Sequence, residues 1–249
     1  MAKGSRGGRR AQSITVANIP HNAVLLSDND ADQLRQQQDS MYDANTTSAV
    51  KMYISDTNFD QQGHSLSQTM NYLLDNGVDL NNPDLNAINK KFGLRLTAND
   101  IASMQYTDNY MAVATHAIGK DVILQRGAHD DVLRDKFGIA DYSKMSEKQL
   151  KAQLVGQKFM TTSYMSASYD PQKSPFLDPS SPVSGGREVV YNIKAGANTK
   201  MLFGAKKQAE VILDRGTNFK ITDVKYSGRT ASPRNKGSRP QIIIDIETY

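Results

Sequence analysis

The chain has no cysteine and no tryptophan among its 249 residues. Without a thiol there is no disulfide framework, no thiolate zinc site and no cysteine nucleophile. Histidine is scarce too, with four scattered copies, so a metal enzyme is not expected. No apolar run approaches the roughly 20 residues that span a bilayer, and the basic N-terminus lacks the apolar stretch of a secretory signal. The expectation is a protein without a membrane partner. It would work in a cytoplasm, or be delivered into a host cell without a conventional signal peptide. No G-x-G-x-x-G occurs, which argues against a Rossmann unit.

What is present suffices for a folded protein. A hydrophobic fraction of 38% with 7 Phe and 11 Tyr is somewhat polar but not a disordered composition. The net charge is +4, and its location matters more than its size. Lys3, Arg6, Arg9 and Arg10 lie in the first ten residues with no acid among them, and the other 26 of the 30 basic residues equal the 26 acidic ones. A second basic concentration runs from Lys225 through Arg229, Arg234, Lys236 and Arg239 in a Ser/Gly/Pro-rich stretch expected as a loop. Both read first as solvated segments, with phosphate contact as the minority reading.

The grammar changes along the chain. Residues 1–25 are expected as a basic disordered arm and 26–119 as a helical part. Ser65-Leu66-Ser67-Gln68 is a capping-box pattern, and Leu66, Met70, Leu73 and Leu74 then share a face. The segment Asp84 to Phe92 stops at Gly93, and Thr97 starts another helix. From 120 to 249, short apolar and β-branched runs alternate with turns. Strands are expected at 121–125, 157–163, 187–194, 199–203, 209–213, 219–225 and 241–247, with Asp214-Arg215-Gly216 as a tight turn. The fold class is therefore α+β, a mixed, mainly antiparallel sandwich with an N-terminal helical part in one globular unit.

Three motifs lie beside these strands in order: Leu124-Gln125-Arg126-Gly127, then Phe159-Met160-Thr161-Thr162-Ser163, then Gln208-Ala209-Glu210. On a strand, residues two apart share a face, so Gln208 and Glu210 would look into one cleft. Arginine, hydroxyl triplet and Gln-x-Glu in this order resemble the R-S-E class of mono-ADP-ribosyltransferases. Within it the chain looks most like the clostridial exoenzymes that modify Rho. The resemblance spans roughly Thr97 to Tyr249.

The resemblance implies the ADP-ribosyltransferase sandwich, NAD as substrate and no metal. It makes Glu210 the carboxylate that stabilises the cation-like ribose as nicotinamide leaves, in the manner of glycoside hydrolysis. Thr161 would hydrogen-bond Glu210 and hold its rotamer, standing where the family has Ser. Thr162 and Ser163 complete the cofactor-side triplet. Arg126 would grip the diphosphate with its planar fork, and Gly127 would let the backbone approach the nicotinamide amide. Gly186-Arg187 resembles the end of the phosphate-nicotinamide loop, making Arg187 a second diphosphate contact. That loop would run from Tyr169 to Gly186, with Phe176 the nearest aromatic to cover the nicotinamide. Met104-Gln105-Tyr106-Thr107 resembles the family's Tyr-Thr element. His129, beside Asp130 and Asp131, reads as a surface turn residue.

Gln208 bears on the acceptor. Arginine-modifying relatives carry Glu at this position, whereas a neutral amide cannot abstract a proton. A protein Asn or Gln side chain is the expected acceptor, in a toxin, effector or phage-type setting. Rho-modifying exoenzymes place an aromatic residue five before the Glu; Ala205 stands there, so Rho is not implied. The alternatives are transfer to guanine in nucleic acid through the basic arm and the segment 225–239, NAD hydrolysis, and a virion-associated scaffold with weak turnover.

Overall fold

The computed structural model describes residues 25–55, 57–60, 62–174, 177, 187–231 and 237–249. The expected basic arm lies outside the described residues up to residue 24. So do Phe176, most of the expected phosphate-nicotinamide loop, Arg234 and Lys236.

Among the described residues, five helices come first: α1 (Asp28–Met41), α2 (Ala44–Tyr53), α3 (Leu66–Asp75), α4 (Leu85–Phe92) and α5 (Ala98–Ala114). Their ends follow from local chemistry. Ser65 with Gln68 and Thr97 with Asp100 close reciprocal capping boxes on α3 and α5, each satisfying two otherwise orphaned N–H groups. Gly93 ends α4 at φ 66°, a conformation that glycine adopts without steric cost. On α3 the buried residues are Leu66, Thr69, Met70, Leu73 and Leu74, an apolar stripe of helical period.

Nine strands follow among the described residues, interrupted by α6 (Asp131–Phe137) and α7 (Glu147–Leu154). They are β1 (His116–Ala117), β2 (Val122–Ala128), β3 (Lys158–Met160), β4 (Met165–Ser168), β5 (Val189–Ala195), β6 (Lys200–Phe203), β7 (Glu210–Leu213), β8 (Asn218–Ala231) and β9 (Arg239–Thr248). Their order is β1-β6-β7-β4-β2-β5-β9-β8-β3, antiparallel except for β5 beside β9. Two blocks meet where β2 touches β4 through one residue pair, Gln125 opposite Ser168. The α+β, mainly antiparallel architecture is as expected.

Strand alternation joins the layers. Leu202 and Ile212 pack with Met70 and Met104 of the helices. Their neighbours Met201, Phe203, Val211 and Leu213 enter the second core with Leu124, Ile193 and Ile244. A β6–β7 face is thus committed to each side, as the two-residue repeat requires.

Several expectations are corrected. Among the described residues of 120–249 there are two α-helices, and Ser146 with Gln149 caps α7 by the same box as α3. The strand expected at 157–163 runs only from Lys158 to Met160. Thr161 instead donates its N–H to Thr217 and accepts from Gly216 N–H, which turns the chain into β4. The basic segment 225–239 is largely strand, since β8 reaches Ala231 and β9 begins at Arg239. Lys225 pairs with Asp245 at 3.4 Å and Arg239 with Asp130 at 2.6 Å, so two of its cations are matched to acids within the fold. Among the described residues, no helix is long and apolar enough to cross a membrane.

Candidate active site

The first half of β2 is apolar and buried at Val122, Ile123 and Leu124; the strand then delivers Gln125, Arg126 and Gly127 to the point where the two sheet blocks separate. Arg126 lies opposite Tyr191 of β5 and donates from Nη1 to the Ser166 carbonyl at 2.6 Å. Burial pushes its pKa down, while Tyr53, Tyr191, Asp75 and Glu210 act in the opposite direction. A guanidinium desolvated in this way binds an anion strongly, because water no longer competes.

Two cavities flank Arg126. One, of about 280 Å³, has Gln208, Glu210, Ser166 and Ser168 on one side and the start of α3 on the other. The second, of about 290 Å³, is bordered by Asp75, His129, Lys136, Phe159, Thr161 and Ser163. Arg126, Gly127 and Arg187 line both. The expected site residues therefore divide between adjoining lobes with two guanidiniums at their junction. Thr162 lines neither; its hydroxyl is bonded to Asp75 at 2.6 Å.

Gln208 and Glu210 face the same cavity, although not by strand alternation. Gln208 ends a 3-10 turn (Lys206–Gln208), Ala209 follows at φ 48°, and β7 begins only at Glu210. Ala209 is the one non-glycine residue with positive φ among those described, a conformation that costs an L-residue about 1–2 kcal/mol. The turn is pinned by Gly204 N–H to Glu210 O at 3.0 Å and Glu210 N–H to Ala205 O at 3.2 Å. The Glu210 carboxylate accepts the Ala205 N–H at 2.9 Å. It lies so close over Gly204 that a Cβ there would sit 2.3 Å from Oε2. A strand-end carboxylate is thus held by backbone and cleared by a glycine.

The hydrogen bond expected from Thr161 to Glu210 is not made. The buried Thr161 hydroxyl accepts the Thr217 N–H at 3.1 Å and stays at the β7–β8 turn. The hydroxyls beside Glu210 are Ser166 and Ser168 on β4. Ser168 pairs with Glu210 across the strands, and its hydroxyl sits 2.8 Å from Asp170 O and 3.0 Å from Gln208 O. The signal for them was present: Tyr164-Met165-Ser166-Ala167-Ser168 repeats, five residues on, an aromatic residue two positions before a hydroxyl pair.

Arg187 contacts His129 through Nη1 and Nε2, and His129 Nδ1 lies 3.1 Å from Glu188 Oε2. His129 is therefore part of the wall of the second cavity, not a free surface turn. Burial also pushes the Arg187 pKa down. Tyr106 and Thr107 of α5 line neither cavity; Tyr106 donates to Asn45 O at 3.0 Å. Helix α3 supplies what the sequence reading missed. Ser65, Ser67, Gln68 and Asn71 face the first cavity, and Asn71 donates to Tyr53 OH at 2.7 Å while its buried Oδ1 has no protein partner. The Gln125 Oε1 is likewise buried and unpartnered beside the same cavity. Two orphaned acceptors around one cavity suit a ligand with N–H or O–H groups, because buried polar atoms are costly to leave unpaired.

The fold is found in solved structures at low identity. Plx2a, an ADP-ribosyltransferase toxin from Paenibacillus larvae, matches with a TM-score of 0.55 at 13% identity over 88% of this chain and 92% of that one. The C3 exoenzyme of Clostridium limosum matches with a TM-score of 0.55 at 18% identity, over 89% and 92%. An S. aureus protein of the same C3 name, solved with NAD, matches with a TM-score of 0.53 at 16% identity, over 89% and 95%. Comparison with curated protein sequences finds no match. The model of the ADP-ribosyltransferase exoenzyme family matches residues 64–248, most of the chain and every element from α3 to β9. The chain belongs to the ADP-ribosyltransferase exoenzyme family.

Proposed function

We propose that this protein transfers ADP-ribose from NAD to a side-chain amide of a protein acceptor. The observation that carries this reading is the placement of Arg126, Ser166, Gln208 and Glu210 around one cavity, with the Glu210 carboxylate fixed by the Ala205 N–H. Arg126 and Arg187, shared by both lobes, suit a diphosphate lying across their junction. The orphaned Asn71 and Gln125 oxygens offer acceptors to ribose hydroxyls or to an amide.

As the bond from ribose C1′ to nicotinamide lengthens, positive charge grows on the sugar and nicotinamide departs neutral. A preorganised carboxylate at Glu210 stabilises that charge without reorganising. The acceptor nitrogen forms the new bond to C1′ and releases its proton to solvent. Gln208 can both donate to and accept from an acceptor amide, but cannot serve as the base that an arginine would need. In this reading Arg126, Gly127 and Arg187 bind NAD, Ser163 lines the second lobe, and Ser166 and Ser168 support Glu210 in place of Thr161.

The test is incubation of a cell lysate with labelled NAD, comparing the wild type with Glu210→Ala and separating protein from nucleic acid. Label on a discrete protein that is lost in the variant supports the reading. Label on nucleic acid would overturn the protein acceptor, and equal labelling by the variant would overturn the role of Glu210.

A further inference from the structure

Helix α1 contributes little to the apolar core, since its buried residues are only Ala31 and Gln38. Its connections are polar and go to two loops beside the active site. Asp28, Asp32, Arg35 and Gln38 recur at three- and four-residue intervals, so they share one face. Gln38 docks that face on β6, donating to Met201 O at 2.8 Å and accepting from Phe203 N–H at 3.1 Å. Next along the helix, Arg35 donates to Gly204 O at 3.3 Å and to Asp32 at 3.1 Å, with its guanidinium 5.7 Å from the centre of the Phe203 ring. Asp32 also receives Lys206 at 2.7 Å. Gly204 and Lys206 belong to the turn that carries Gln208 and fixes Glu210.

The first residue of α1 reaches a different loop. Asp28 receives Lys173 at 2.6 Å and the Tyr169 hydroxyl at 3.4 Å, and Lys173 also pairs with Asp170 at 3.5 Å. This segment leaves β4 directly after Ser168. The Lys173 hydrogen bond holds the Asp28 carboxyl below its ordinary range.

From this arrangement we infer that α1 is a positioning strap, with Asp28 setting the segment 169–174 on the NAD side and Asp32 with Arg35 setting the turn 204–208 on the acceptor side. The inference rests on the transferase reading for its kinetic consequences, but not for the strap itself. None of these α1 residues lines either lobe of the active site, so they act through the loops they hold. Each pair is partly solvated, so each loss should be modest, about threefold to fivefold. The two losses should differ in kind.

The experiment compares Asp28→Ala, Asp32→Ala and, as a charge control on an exposed α1 site, Asp39→Ala. Hydrogen exchange should quicken at 169–174 in the first and at 204–208 in the second, with neither change in the control. In the first, KM for NAD should rise about threefold at an unchanged ratio of transfer to hydrolysis. In the second, the ratio of label on lysate protein to free ADP-ribose should fall about threefold to fivefold at an unchanged KM for NAD. Identical effects in both variants, or none beyond the control, would overturn the strap. Wild-type protein that turns over no NAD would overturn the transferase reading, and the exchange pattern would then decide the strap alone.

Discussion

Replacing Gly204 by Ala should separate catalysis from folding. A Cβ at this position would lie 2.3 Å from Glu210 Oε2, 2.8 Å from Cδ and 3.0 Å from Cγ. Ordinary carbon–oxygen contact is about 3.4 Å, so the carboxylate must retreat by about 1 Å. The obstructing atoms all belong to the Glu210 side chain, and Gly204 does not need a positive φ, so the backbone can keep its course. The retreating carboxylate gives up the Ala205 N–H at 2.9 Å. A displacement of 1 Å at a reacting centre costs about 100-fold in rate, whereas the fold should lose no more than about 1 kcal/mol. Steady-state NAD consumption, measured beside a urea unfolding curve, reads both quantities. Turnover within about threefold of wild type would refute the account of how Glu210 is held, and so would a general loss of stability.

Three further outcomes follow from the same geometry. Ala209→Gly relieves the φ of 48°, so the unfolding free energy should hold or rise, by up to about 1 kcal/mol; a clear loss would contradict the strain. Thr161→Ala should lower stability by about 1 kcal/mol with near-normal NAD turnover, because its hydroxyl serves the Thr217 N–H; Ser168→Ala should instead slow turnover about tenfold, and kinetics paired with melting decides between them. Burial works to raise the Asp60 carboxyl, but hydrogen bonds from His64, Gln62 and Thr69 outweigh it and hold it below its ordinary range. Its stabilisation should be complete above an unfolded pKa of about 3.9 and be lost as pH falls through the lower folded value. Urea midpoints at neutral and acidic pH should therefore converge in Asp60→Asn.

The fold was legible where local chemistry and period agreed. The capping residues of α3 and α5 and the glycine after α4 marked the helix ends, and the apolar runs of β5, β7 and β9 marked strands. Helix α7 was missed although Ser146 and Gln149 carry the same box, because only eight residues follow before β3. In the candidate site, Arg126, Gly127, Gln208 and Glu210 are expected from short motifs, and they line one cavity. The hydroxyl residues that share a cavity with Glu210 lie five residues after the triplet read from the sequence. Phe159 and Tyr164 both precede hydroxyl pairs, and only the pairing of β4 with β7 tells which pair lies across from Glu210. The contributions of α3 and the strap of α1 were invisible because both depend on contacts between residues far apart in sequence. The pinned turn at Gly204 to Glu210 was equally hidden, since Ala209 carries no sign of its left-handed backbone.

The role of Glu210 is tested most directly by measuring NAD binding by calorimetry and NAD hydrolysis by nicotinamide release in purified wild-type protein and in Glu210→Gln. NAD affinity should stay within a few-fold in both proteins and hydrolysis should fall by several orders of magnitude in the variant, since the carboxylate acts on charge that develops only in the transition state. Comparable hydrolysis by the two proteins, or no NAD binding by the wild type, would contradict that role.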